Sequence, residues 1–398
     1  MVFDIAYLSQ GKLYLKQGDR PVREIESEFG RSLQQRRLQM ERRKAWRDRS
    51  IRSMTLTPQM AKQMEQQSEV LTPVAITSLC QLTEGEFLYA LESEDMGGLF
   101  RFEPDRDREN RLFHSTDFRI GHLNFSADHN QIACTKNYPT GITNLATLAA
   151  NAVRPQDITA GDSVDLAPCW LPGQQKALVY QSAGVGRNEQ GYVVNRAPFT
   201  IEKLDFEQQD IISMAADPKS DLLGPQVSAE GWLYYIRRPY RSYQTPVGLG
   251  QFFKDVLLIP LRLLEAIFGF FNAFTQLFTG KPLMTAGNQQ KVERKFLRTL
   301  GGWVTPENLS KENAAETDAP NLVPASWQLV RQAAQGVPEV LAKHVLAFDL
   351  MADGTVLYTN GSSVHQITPA GKREKLFVGK YIEAVRGLPR SPEVASEA

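Results

Sequence analysis

Pro168-Cys-Trp-Leu-Pro-Gly-Gln-Gln-Lys-Ala-Leu-Val-Tyr180 reads as strand, tight turn, strand. An aromatic residue precedes a Pro-Gly step, which supplies the positive φ a short turn needs, and a β-rich apolar run follows. The same sentence recurs five more times. Ile5 to Tyr14 turns at Gln10-Gly11, and Ile76 to Tyr89 turns at Glu84-Gly85. Leu123 to Cys134 turns at Asn130, a residue that tolerates the left-handed region. Pro225 to Tyr235 turns at Glu230-Gly231, and Phe348 to Tyr358 at Asp353-Gly354.

The spacing of these copies sets the architecture. Tyr89 to Cys134 is 45 residues, Cys134 to Tyr180 is 46 and Tyr180 to Tyr235 is 55. A period of about 40–50 residues with four short strands each is propeller spacing. Further strands follow the markers at Ile142–Leu148 and Gln156–Gly161, at Phe199–Asp205 and Asp210–Met214, and at Ser363–Ile367 and Glu374–Val378. The chain opens directly on a marker strand, and Lys380–Arg386 is a spare strand at the other end that completes the first blade. The expected fold is therefore all-β: a six-bladed β-propeller over 1–390, closed by its N- and C-terminal strands. Residues 391–398 read as a disordered tail.

Two intervals are too long, 75 residues from Tyr14 to Tyr89 and 123 from Tyr235 to Tyr358. They hold two helical insertions. The first, 28–70, is nearly free of Gly and Pro and carries Arg36, Arg37, Arg42, Arg43, Lys44 and Arg47 around Trp46. It reads either as a contact for an anionic surface or as a solvated helix packed on the propeller rim. The second, 244–290, is apolar. On a helical wheel Asp255, Arg262, Glu265, Gly269, Asn272 and Gln276 fall within an arc of about 100°. The remainder of the wheel offers Phe252, Phe253, Leu257, Leu261, Leu264, Phe268, Phe271, Phe274 and Phe278. Both ends of this segment return to one propeller, so topology argues against a single membrane crossing, and only an in-plane helix or a re-entrant hairpin keeps both ends together. An in-plane interfacial helix, a surface for a protein partner or a second copy, and a helix buried on the propeller remain as readings. A linker and a helix at Ala325–Lys343 are expected within 305–342.

Phe125-Ser-Ala-Asp-His-Asn-Gln-Ile-Ala133 and Trp170-Leu-Pro-Gly-Gln-Gln-Lys-Ala-Leu-Val-Tyr180 resemble the Phe/Trp-Ser-Pro-Asp-Gly motif of TolB-type, WD-like propellers. Ile158-Thr-Ala-Gly161 is similar to the Leu-Thr-x-Gly close of such blades. The resemblance covers most of 1–28, 73–237 and 343–388 and concerns the fold. Proteins of the TolB type proper carry a periplasmic signal and an extra N-terminal domain, and neither is read in this sequence.

Charge and chemistry narrow the function. Forty-five basic residues balance 45 acidic ones, so no global field recruits nucleic acid. Cys80, Cys134 and Cys169 have neither metal-ligand nor redox spacing and read as buried thiols of a reducing compartment. The first residues lack a basic and then apolar leader, which predicts a cytoplasmic protein or one peripheral to the inner face of a membrane. His114, His122, His129, His344 and His365 form no metal-spaced pair. Tyr180-Gln-Ser-Ala-Gly184 lacks the first glycine of a nucleophile elbow. No catalytic, metal or cofactor residues are therefore expected. The leading reading is a noncatalytic binding or scaffold propeller. Its alternative is a hydrolase- or lyase-like enzyme using the mouth of the propeller channel.

Overall fold

The computed structural model describes residues 3–52, 74–83, 85–151, 153–173, 175–189, 193–241, 297–299, 302–304, 319–333 and 336–389. All of these except Arg241 belong to one compact unit. Its architecture is all-β and propeller-like, and one helix is present among the described residues.

The N-terminal hairpin joins β1 (Phe3–Ser9) to β2 (Lys12–Lys16), and β3 (Arg23–Ile25) extends that sheet. Gln10 and Gly11 both take positive φ, 52° and 75°, as the two-residue turn requires. A side chain at Gly11 would also collide with Ala75, whose Cβ would lie 2.8 Å away. Helix α1 (Glu28–Arg52) follows, and then β4 (Ala75–Thr83), β5 (Glu86–Glu92), β6 (Gly97–Glu103) and β7 (Arg108–Ser115) form a second four-stranded sheet.

The next strands are β8 (Arg119–Ser126), β9 (Gln131–Asn137), β10 (Thr143–Ala149) and the two-residue β11 (Gln156–Asp157). Asn130 holds φ 49° in the β8–β9 turn, the role its side chain suits. The opening motif becomes β12 (Ser163–Trp170) and β13 (Ala177–Arg187), with β14 (Val193–Arg196), β15 (Thr200–Asp205) and β16 (Asp210–Ala215) after them. One parallel pairing, Thr143 with Val164, merges these two groups into a nine-stranded sheet.

β17 (Ser220–Val227) and β18 (Leu233–Pro239) precede the long insertion, within which β19 (Leu297–Thr299) and β20 (Gly302–Val304) form a small hairpin. β18 then pairs with β21 (Gln328–Gln332), Tyr235 opposite Val330, and β21 pairs with β22 (Glu339–Lys343). The expected helix at 325–343 is thus corrected to two strands. Local helix propensity loses to pairing here, because β18 would otherwise leave a buried edge unbonded. The second helical insertion and residues 305–318 lie outside the described residues. So do 53–73, which hold the rest of the first insertion, and 390–398, which hold the tail.

β23 (Ala347–Leu350), β24 (Val356–Thr359), β25 (Ser363–Ile367) and β26 (Arg373–Val378) make the last consecutive sheet. β27 (Ile382–Pro389) returns to β1 and pairs antiparallel with it from Phe3–Pro389 to Ser9–Ile382.

Burial grades across each sheet. β5 is buried at five of seven positions, whereas β16 is exposed at four of six. The core lies between the faces of neighbouring sheets, for example Leu79, Phe87, Tyr89 and Phe100 with Leu13 and Leu15. The innermost strands touch in succession: β4 with β8, β8 with β12, β12 with β17, β17 with β23, β23 with β27, and β27 with β4.

Candidate functional site

The innermost strands line an axial channel with two chambers. One is about 110 Å³ and the other about 500 Å³. Asn124, Cys169, Gln226 and Arg386 border both and so mark the waist between them. With Cys80 and Asp349 they occupy equivalent places, one on each innermost strand. Each of the first five places stands nine to eleven residues before the marker residue of its copy.

Bulges aim these side chains. The register slips between Ile76 and Ser78, Gly121 and Asn124, Leu166 and Cys169, and Leu223 and Gln226. His122, Ala167 and Gly224 take positive φ two residues before Asn124, Cys169 and Gln226. An extra residue in one strand bends it and turns the following side chain toward the axis.

Side chains at or beside the waist then tie each innermost strand to the next. Asn124 Oδ1 accepts the Trp170 N–H at 2.8 Å, and the Val227 N–H bonds the Cys169 sulfur. Gln226 Oε1 accepts the Leu350 N–H at 2.8 Å, and Asp349 Oδ2 accepts the Gly387 N–H at 2.8 Å. Arg386 Nε donates to the Leu79 carbonyl at 3.3 Å, while Nη1 pairs with Asp349 at 2.5 Å. Ser78 Oγ completes the set by accepting the Leu123 N–H at 2.8 Å. Arg386 is enclosed by protein, yet a quarter of its side chain still faces the channel lumen. Burial works against its charge, and the neighbouring Asp349 outweighs that and holds the guanidinium firmly protonated. Burial also pushes the Cys80 thiol up to about 12 and the Cys169 thiol to about 11, despite the opposing pull of Arg386.

The second candidate feature is α1. Its N-terminus is fastened to the second sheet. The Glu28 and Phe29 N–H groups donate to the Glu109 carboxylate at 3.0 and 3.1 Å, and Ser27 Oγ caps Gly30 at 3.0 Å. Tyr89 donates its hydroxyl to the same carboxylate. Phe29 packs on Phe100 with ring centroids 5.2 Å apart, under the Arg111 guanidinium. Arg37 is half-buried and pairs with Asp95, whereas Arg36 and Arg43 are exposed. Arg42, Lys44 and Arg47 lie within α1, but their side chains lie outside the described residues. Phe252, Phe253, Leu257, Leu261, Leu264, Phe268, Phe271, Phe274 and Phe278 lie outside them as well. Among the described residues no helix is long and apolar enough to cross a membrane.

The remaining sequence candidates fall into structural settings. Ser182 sits within the extended strand β13 and donates to Asp165 at 2.7 Å, so no nucleophile elbow forms there. His122 Nδ1 meets Thr135 Oγ1 at 3.1 Å, His344 Nδ1 meets the Val323 carbonyl at 2.8 Å, and His365 Nε2 meets Ser363 Oγ at 2.9 Å. Among the described residues no group of three His, Cys, Asp or Glu side chains could hold a metal ion. The waist itself was missed by sequence reasoning. Its signal is a polar or thiol residue nine to eleven residues before five of the six markers, visible only once the copies are aligned and the bulges allowed for.

No protein-family model and no curated sequence matches the chain. Solved structures do. TolB from Acinetobacter baumannii is 10 % identical with a TM-score of 0.50, over 98 % of this chain and 67 % of that one. The nidogen/laminin complex is 8 % identical with a TM-score of 0.47, over 98 % and 99 %. The tricorn protease is 10 % identical with a TM-score of 0.46, over 94 % and 34 %. At these identities the likeness concerns fold alone, and the TolB match carries it: the chain has a TolB-like β-propeller fold.

Proposed function

We propose that the chain is a noncatalytic binding and scaffold propeller. Its six blades close through β1 and β27, and it meets an anionic membrane surface through α1 and the apolar segment 247–280. The observation that carries this is the mounting of α1. Glu109, Ser27 and Phe29 fix its first turn on the second sheet, while Arg36 and Arg43 stay exposed. A helix of 25 residues is about 37 Å long, so the clamped first turn anchors a long element on which Arg36 and Arg43 are exposed. Basic residues near an anionic leaflet contribute about 1 kcal/mol each, and a Phe- and Leu-rich face adds apolar burial. A protein partner on the same apolar face is the alternative occupant.

Liposome flotation tests the proposal. The wild type should float with vesicles containing phosphatidylglycerol. Deleting 247–282 should return it to the soluble fraction without lowering its melting temperature. Replacing Arg36, Arg42, Arg43, Lys44 and Arg47 by Gln should remove the dependence on anionic lipid. Flotation that is absent in the wild type, or unchanged in both variants, sinks the membrane assignment.

A further inference from the structure

We propose that the waist of the axial channel is a binding site for a small carboxylate. The staples between strands decide the chemistry left over. Asn124 must turn Oδ1 to the Trp170 N–H, and Gln226 must turn Oε1 to the Leu350 N–H, because a backbone donor needs an oxygen opposite it. The amide orientations are thereby set, and the NH₂ ends remain. Asn124 Nδ2 has no acceptor among the described residues, and Gln226 Nε2 spends one hydrogen on the Phe348 carbonyl at 3.2 Å. Asp349 is engaged at both oxygens, by Arg386 Nη1 and the Gly387 N–H. Arg386 Nη2 has no acceptor among the described residues. Each of these oxygens thus already holds a donor, while the free donors are the NH₂ hydrogens of Asn124 and Arg386 Nη2, the latter on a guanidinium that borders both chambers.

An acceptor-only ligand complements such a ring, and a carboxylate brings two oxygens to Arg386 and the amides. Both chambers border the waist, and a ligand seated on the side of the narrower one, of about 110 Å³, is limited to a few heavy atoms. Asp128 and Glu383 also line the chambers and bias the site against ligands with a second negative charge. This site is independent of α1 and of any membrane contact.

Titration of the full-length protein with ¹³C-acetate, followed by NMR, tests the assignment, with acetamide as the uncharged isostere. Asn124→Asp and Gln226→Glu keep the oxygens that accept the Trp170 and Leu350 N–H groups, but exchange a donor for a charge. Acetate should bind saturably at one site per chain and more tightly than acetamide, and each variant should weaken it by at least about tenfold. Absence of saturable acetate binding, equal binding of acetamide, or wild-type affinity in either folded variant overturns the proposal. If one variant fails to fold, the other decides alone.

Discussion

Asp221, 2 % exposed on β17, accepts from two guanidinium groups at once. Arg196 reaches its oxygens at 3.0 and 3.2 Å, and Arg238 reaches it at 3.0 Å. Arg196 also lies over the Phe199 ring at 4.1 Å, and Arg238 over Trp327 at 5.1 Å. Removing the acid leaves buried positive charge behind, and breaking such a pair by removing one partner typically costs about 3–5 kcal/mol. Asp221→Ala should therefore lower the unfolding free energy by that amount in urea titrations. A change under about 1 kcal/mol would mean that solvent reaches the cluster. None of this was legible in the sequence. Arg196 and Asp221 are 25 residues apart, and the β13–β14 pairing together with the docking of Phe199 on β17 brings them together. Asn124, Cys169 and Gln226 share that fate, since their roles depend on bulges that shift register by one residue.

Single elements divide by how far their form is local. The hairpins were readable because Gln10-Gly11 and Asn130 encode their turns within a few residues. The helical start of α1 at Glu28 was readable from a Gly- and Pro-poor run, and Ser27 supplies its cap. Residues 325–343 were misread, because their state is set by β18, a strand about 90 residues earlier in the chain. The β24–β25 hairpin carries a pH response of its own. His365 stacks on Tyr358 with ring centroids 5.0 Å apart, and burial, aided by Lys375, lowers its pKa below the usual 6.5. The unfolded chain then binds the extra proton first. Stability is full above about pH 6.5 and falls as the pH drops from there toward the folded-state value. Between pH 7 and pH 5 the wild type should lose more melting temperature than His365→Gln. Parallel curves for the two proteins would rule out this source of acid sensitivity.

At the scale of the whole molecule, the termini matter most. β27 pairs with β1 along its length, contributes Arg386 to the waist and lies beside both β4 and β23. Removing it exposes an edge of the first sheet and cuts two of the contacts between innermost strands. Truncation after residue 380 should abolish cooperative unfolding followed by circular dichroism, whereas deletion of 247–282 should leave the urea midpoint in place. A truncated protein that unfolds with the wild-type midpoint would refute the proposed closure.

The sequence by itself determined the marker strands, their turns, the helical start of the first insertion and the pairing of the two ends, because hydrophobic alternation and turn chemistry act over a few residues and repeat. Only the tertiary structure decided what lines the axis. The channel is built from six strands drawn from the length of the chain. The orientation of Asn124, Gln226 and Asp349 follows from which backbone N–H the neighbouring strand presents, a fact that no local window contains. The motif Pro168 to Tyr180 spans both kinds of information. Its turn and strands follow from its own residues, while Cys169 within it became a waist residue through the bulge at Ala167 and the approach of Val227.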